Sequence, residues 1–253
     1  MKNTKRLFVV SDIHGHYTLL RQALKAAGFD SKNEDHVLIC CGDLFDRGQE
    51  NRKVYDYIRR LPRKILIRGN HDERLAYVLS RKQVDYYDVR NGGEGTLREF
   101  FGPEVLGPNG WLRLPKYGKM AGILRRFVDS MVDYYETEHY VFTHGWLPLE
   151  KDSNISTVRP DWREADEADW HMARFLEWQY LYNAPSRIPE KIIVCGHRPT
   201  SYAWRFDPER KPEDSGIFYG DGMIAIDACT VRSGRVNVLV VEEPIADSNV
   251  DKM

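Results

Sequence analysis

Five short polar clusters in this sequence hold side chains that can bind a metal ion or a phosphate group. Asp12 and His14 form the first. The second is GDLFDRG, Gly42 to Gly48, which carries Asp43, Asp46 and Arg47 between glycines. GNHD (Gly69 to Asp72), THG (Thr143 to Gly145) and GHRP (Gly196 to Pro199) complete the set and supply Asn70, His71, His144 and His197. Residues i and i+2 of an extended chain point the same way, so Asp12 and His14 can converge on one ion. Singly, each signal is weak. A lone His14 or His144 is more often a hydrogen-bonded structural histidine, and Asp46 with Arg47 reads equally as a surface ion pair worth about 0–1 kcal/mol. Together the clusters mix carboxylate, amide and imidazole donors without thiolate, a set suited to divalent Mn, Fe or Zn. Glycines 15, 42, 48 and 69 permit tight turns and close backbone approach around them.

Each cluster follows a short apolar run that reads as a buried strand. Leu7–Ser11, His36–Cys40, Lys64–Ile67, His139–Phe142 and Lys191–Cys195 are those runs, with further strands at Tyr134–Glu136, Met223–Asp227 and Val236–Val241. Leu20, Ala23, Leu24 and Ala27 repeat at helical spacing. Further helices are read at Asn51–Arg60, Glu73–Arg81, Glu94–Phe101, a stripe from Met120 to Met131, and Ala168–Tyr182. Strands alternating with helices predict an α/β fold, with the later strands forming a second sheet packed on the first. Such sheets bind ligands beyond the carboxyl ends of their strands, where all five clusters fall.

The chain of 253 residues is expected to be one domain, with a surface excursion at about 85–118 and a frayed tail from about 242. Its 37 Lys and Arg balance 38 Asp and Glu, so general nucleic-acid binding is not expected. No apolar run reaches the ~18–20 residues of a membrane span, and the N-terminus lacks the apolar stretch of a signal peptide. Cys40, Cys41, Cys195 and Cys229 lie in or beside apolar runs and read as buried thiols of a reducing cytoplasm.

The ordered set D-x-H, GDxxDRG, GNHD, His and GH resembles the calcineurin-like metallophosphoesterases. Its GDxxDRG resembles their phosphoprotein phosphatase branch, which includes small bacterial and phage enzymes and diadenosine tetraphosphate hydrolases. The resemblance spans residues 12 to 197. It implies two packed mixed β-sheets flanked by helices, with a dimetal site at the strand ends. It further implies Asp12 and His14 on a first divalent ion, Asp43 bridging to a second, and Asn70, His144 and His197 completing the second. Manganese is expected, with iron or zinc admissible. His71 would then be the general acid, oriented by Asp46, and Arg47 would hold phosphate oxygens, with Asn70 beside it. A phosphoryl transition state needs positive charge on its equatorial oxygens and a proton for the departing oxygen, and these groups supply both.

A second phosphate-binding arginine is implied between the last two histidines. Among Arg159, Arg163 and Arg174, the setting of Arg174 among aromatics resembles the pattern best, while Arg198 adds a cation near the site and is a fourth candidate for contact with phosphate. This chain departs from the family in Asp72, Trp146, Arg198 and the IDAC stretch at Ile226–Cys229, none of which removes a ligand. Asn91-Gly92-Gly93 with Thr96 and Leu97 resembles a bacterial NGG-x-x-TL stretch that would line the entrance. His16, His36, His139 and His171 match no motif position. The expected activity is serine/threonine phosphoprotein phosphatase, with dinucleoside polyphosphate hydrolase as the alternative and a silent metal-binding scaffold as a third reading. Five of six tryptophans fall between Trp146 and Trp204. They read first as core and second as an aromatic rim for a nucleobase.

Overall fold

A computed structural model describes residues 3–113, 118–151 and 156–245. Strands β1 (Asn3–Val10), β2 (His36–Cys41) and β3 (Lys64–Ile67) alternate with helices α1 (Tyr17–Ala26), α2 (Asn51–Ile58) and α3 (Asn70–Arg81). Two more helices, α4 (Tyr86–Arg90) and α5 (Gly93–Phe101), precede α6 (Gly118–Asp129). The second half holds β4 (Tyr134–Glu136), β5 (Tyr140–Thr143), α7 (Glu167–Arg174), α8 (Trp178–Leu181), β6 (Ile192–Cys195), β7 (Phe218–Gly220), β8 (Met223–Ala225), α9 (Thr230–Ser233) and β9 (Leu239–Ile245).

The first sheet has the order β3-β2-β1-β9 and the second β4-β5-β6-β8-β7. Both are mixed. The strands leading into the site pair in parallel, β1 with β2, β2 with β3 and β5 with β6, while β9 joins β1 antiparallel. Side-chain alternation sorts each strand between two layers. Leu7, Val9, Val37, Ile39, Ile65 and Ile67 meet Phe142, Val194 and Ile224 between the sheets. Their neighbours Phe8, Val10, Leu38, Cys40 and Leu66 face a helical layer that includes Leu20, Leu24, Val54, Leu75 and Leu124. On the far side Val141, Ile193 and Met223 pack under Trp146, Trp162, Trp170 and Trp178. These four tryptophans are therefore core, whereas Trp204 is 45% exposed.

Several expected boundaries move. The final strand begins at Leu239 and joins the first sheet, where Val241 pairs with Leu7 and Ile245 with Asn3. Residues 242–245 are thus ladder-bonded, not frayed; 246–253 lie outside the described residues. The helix expected across Ala168–Tyr182 breaks after Arg174. There the Phe175 and Leu176 amides make short i→i−3 bonds, and the Ala173 carbonyl also accepts from Trp146. The 85–118 segment is no mere surface excursion, because Leu97, Phe100 and Phe101 are buried in the first core. Residues 114–117 of it lie outside the described residues.

Candidate metal and phosphate site

The clusters after β1, β2, β3, β5 and β6 meet at one end of the paired sheets. Their backbone is strained. Among the described residues, ten non-glycine positions have positive φ, and Asp12, His14, Asp43, Asp46, Arg47 and His197 are six of them. Each such position costs of order 1–3 kcal/mol and persists only where its surroundings over-determine it. Here loop-to-loop bonds do so: His14 N–H donates to Asp43 O (3.0 Å), Asp12 N–H to Gly42 O (3.1 Å) and Gly48 N–H to His14 O (3.0 Å). Gly42 has φ +81°, and a Cβ there would lie 2.5 Å from His144 Nδ1.

The histidines are oriented from behind. His14 Nδ1 donates to the Phe45 carbonyl (2.9 Å) and His144 Nδ1 to the Cys41 carbonyl (2.8 Å), so each turns an Nε2 lone pair inward. His14 Nε2 faces Asp43 Oδ2 at 3.6 Å and Asp12 Oδ1 at 3.9 Å. His144 Nε2 faces Asp43 Oδ1 at 3.4 Å and Asn70 Oδ1 at 2.9 Å. Donor atoms of His14, Asp43 and His71 lie within 4.8 Å of one another, and so do those of Asp43, His144 and His197. Asp43 belongs to both groups and presents one oxygen to each. Inward lone pairs facing carboxylate and amide oxygens with no proton between them repel, and a divalent cation in each group would remove that repulsion. The donor set therefore fits two ions.

Titration behaviour points the same way. Burial lowers His14 well below its ordinary value, and burial with the neighbouring His144 lowers His197 to about 3, so both imidazoles stay neutral. Burial, reinforced by Asp43 and partly offset by His144, pushes Asp12 up to about 6. Carboxylates buried this close together oppose one another's ionisation.

His71 stands on the first turn of α3, which begins at Asn70, three residues earlier than the sequence spacing predicts. Its Nδ1 donates to Asp46 Oδ2 (2.8 Å). Burial opposes protonation of His71, but Asp43 and Asp46 outweigh it and raise its pKa above the ordinary value. The Asp46 carboxylate is held in turn by the Thr96 hydroxyl (2.6 Å). Arg47 is exposed and spans the pair, with Nη1 donating to His14 Nε2 (2.8 Å) and Nη2 to His71 Nε2 (2.9 Å).

The remaining expected residue sits elsewhere. Arg174 is 2% exposed and its guanidinium meets Glu73 (3.0 Å), Glu167 (3.1 Å) and Asp133. It does not line the cavity of about 180 Å³ that holds His14, Asp43, Arg47, Asn70, His71 and His197.

Three residues gained importance only from the structure. Asp72, read as a neutral departure, accepts from the amides of Asp43 (2.8 Å), Leu44 (3.1 Å) and Gly69 (3.0 Å), tying the second and third clusters together. Asp227 lines the cavity as a buried carboxyl, pushed well up by burial and by Asp12. Its place in the IDAC stretch at a strand end was the available signal. Thr96 is fully buried behind Asp46, while Asn91, Gly93 and Leu97 of the same stretch line a cleft beside His71. Gly92, φ +89°, lets its loop touch the Arg47 amide, with which any Cβ would collide.

Known proteins resemble this chain in sequence and in fold. The symmetrical bis(5'-nucleosyl)-tetraphosphatase of Buchnera aphidicola is 31% identical over 157 residues, 60% of this chain and 48% of that one. Its namesake in Proteus mirabilis is 36% identical over 160 residues, 63% and 50%. Serine/threonine-protein phosphatase 1 of Salmonella typhimurium is 30% identical over 97 residues, 38% and 43%. The chain thus spans about half the length, or less, of these curated relatives. The crystal structure of a putative diadenosine tetraphosphatase superposes with a TM-score of 0.55 at 16% identity, covering 96% of this chain and 95% of that one. A cold-active protein tyrosine phosphatase gives 0.51 at 16% identity, covering 98% and 80%. Those two likenesses show a shared fold. Residues 5–223 match the family model for calcineurin-like phosphoesterases, and with the five clusters brought to one site, the chain belongs to that family.

Proposed function

We propose that this chain is a dimetal phosphomonoesterase acting on phosphorylated protein side chains, phosphoserine and phosphothreonine foremost. One observation carries the choice of substrate: the cleft on the leaving-group side. Asn70 and His71 line both the small metal cavity and a neighbouring cleft of about 490 Å³. A group departing from phosphorus toward His71 would enter that cleft. Its walls include Tyr77, Val84, Tyr87, Leu97 and Phe175. Its charged lining is Asp46, Glu73 and Asp88 against Arg74, whose guanidinium already pairs with Asp85 and Asp88. An apolar cleft whose charges are paired among themselves accepts a peptide and offers no open cation to a departing nucleoside diphosphate.

Two divalent ions held by Asp12, His14, Asp43, Asn70, His144 and His197 would supply Lewis acidity and an activated water. The chain does the rest. Arg47 offers a planar fork to phosphate oxygens and, in turning to them, releases His71 Nε2, which then carries the proton delivered to the departing oxygen. Asp46 keeps the imidazole oriented throughout, and the amino end of α3 adds partial positive charge beside the phosphate.

Dinucleoside polyphosphate hydrolysis is the second reading. It is favoured by the names of the Buchnera and Proteus relatives and by a cleft of about 360 Å³ lined by Tyr202, Trp204 and Arg232, an aromatic and cationic wall suited to a nucleobase. Rates with manganese on a phosphothreonine peptide and on diadenosine tetraphosphate separate the two. The first reading expects the larger kcat/KM on the peptide; the reverse order installs the second. Asp43→Asn should lose both activity and bound manganese, and full retention of either would remove Asp43 from the bridge.

A further inference from the structure

We infer that Arg198, the cation of GHRP, is the second phosphate-binding arginine of this site, in the role that sequence resemblance gives to Arg174. The inference rests on the phosphoesterase reading and adds a residue to it. Five arginines compete, and their partners sort them. Arg159 is held by Asp161 and Asp169, and Arg163 is held by both oxygens of Glu136 while stacking on Trp162. Arg174 is enclosed by three carboxylates. Arg47 already lies on the site. Arg198 alone of the other four lines the cavity with Arg47, His14, Asp43 and His71.

Its side chain is 33% exposed, and among the described residues its Nη groups make no hydrogen bond. Nε lies 2.9 Å from Glu177 Oε2 without hydrogen-bond alignment, and the guanidinium rests 5.2 Å from the Tyr202 ring centre. The Nη edge that would form a fork on an oxyanion is therefore unspent.

The backbone that carries Arg198 is pinned on both sides. Its carbonyl accepts from the indole of the fully buried Trp178 (2.8 Å), and its amide donates to Gly196 O (2.7 Å). The preceding amide, that of His197, donates to Asp12 Oδ2 (2.9 Å). Two residues on, Thr200 N–H donates to Asp227 O (2.9 Å). Glu177 and Tyr202 limit the side chain's sweep. A rigid stem with a free planar donor edge is the form that binds phosphate at low entropic cost.

The test uses the full manganese-loaded chain and two probes: inorganic phosphate by titration calorimetry and p-nitrophenyl phosphate by initial rates. Arg198→Ala should weaken phosphate binding about 10- to 100-fold and raise KM in parallel, as expected for a lost charge-assisted bond. Arg198→Lys, which keeps the charge and loses the fork, should fall between. Arg198→Gln carries the same test where truncation lowers the yield of folded protein, and thermal melts report folding for each variant. Unchanged phosphate affinity and KM in folded Arg198→Ala or Arg198→Gln would overturn the inference while leaving the phosphoesterase reading intact. A wild-type chain that hydrolyses no phosphoester with Mn, Fe, Co or Zn would overturn that reading and the inference with it.

Discussion

Arg47 and Arg174 meet opposite surroundings. Arg47 is exposed and rests on two imidazole nitrogens, whereas Arg174 is buried and wrapped by Glu73, Glu167 and Asp133. A guanidinium against neutral lone pairs keeps its charge available to an arriving anion. One neutralised by carboxylates has its charge committed to structure. Arg174 joins α7, which also supplies Glu167, to α3 through Glu73 and to the start of β4 through Asp133. It therefore ties the outer layer of the second sheet to a helix of the first. Partner chemistry, more than proximity to the site, thus decides whether a guanidinium is left open to an anion or is committed to holding helices together.

That comparison can be broken. Arg47→Ala should cost about 10²–10³-fold in kcat/KM, the usual penalty for losing a donor to a developing oxyanion, with little change in Tm. A variant retaining most activity would mean that Arg47 does not touch phosphate. Arg174→Met should act on stability instead. It leaves clustered carboxylates uncompensated, a loss of about 2–4 kcal/mol, below the fully buried case because Glu167 is largely exposed. Calorimetric melts should then show Tm falling by about 10 °C. A variant that melts like wild type but binds phosphate tenfold more weakly would return Arg174 to the site.

Thr96→Val sharpens the comparison within the site. It deletes the hydroxyl that holds Asp46 and should lower kcat by about tenfold or less, with KM preserved. A matching rise in KM would show that Thr96 shapes binding and not His71 alone.

The smallest effect lies far away, at His36. Its Nδ1 accepts from the Asp30 amide (3.0 Å), and burial with Arg6 nearby lowers its pKa, with Asp30 and Asp35 opposing. The unfolded chain therefore binds the proton more readily, and stability is lost as pH falls through about 6.5 toward the lowered native value. Wild type should lose slightly more Tm than His36→Gln between pH 7 and 5. Equal losses would remove His36 from the account.

How much was legible beforehand follows from where each signal resides. The five strands entering the site and their clusters were readable because apolar runs and glycine-flanked polar residues are local patterns. Asp12, His14, Asp43, Asn70, His71, His144 and His197 were all named, and the structure gathers them at one end of the sheets. The break after Arg174 was not readable, because the Trp146 amide that shares the Ala173 carbonyl comes from another segment. The same holds for β9, whose partner β1 lies at the other end of the chain. Asp72 looked neutral because its three amide partners belong to two loops.

By itself, then, the sequence determined the donor types, their order along the chain and the strand ends that carry them, since all of these depend on neighbouring residues. Tertiary structure alone decided which charges remain free. Arg174, between the last two motifs, and Arg198, inside the last, differ little as letters. The packing of two sheets brings Glu73, Asp133 and Glu167 around Arg174, whereas Arg198 meets Glu177 at Nε, and electrostatic saturation is a property of that assembled neighbourhood.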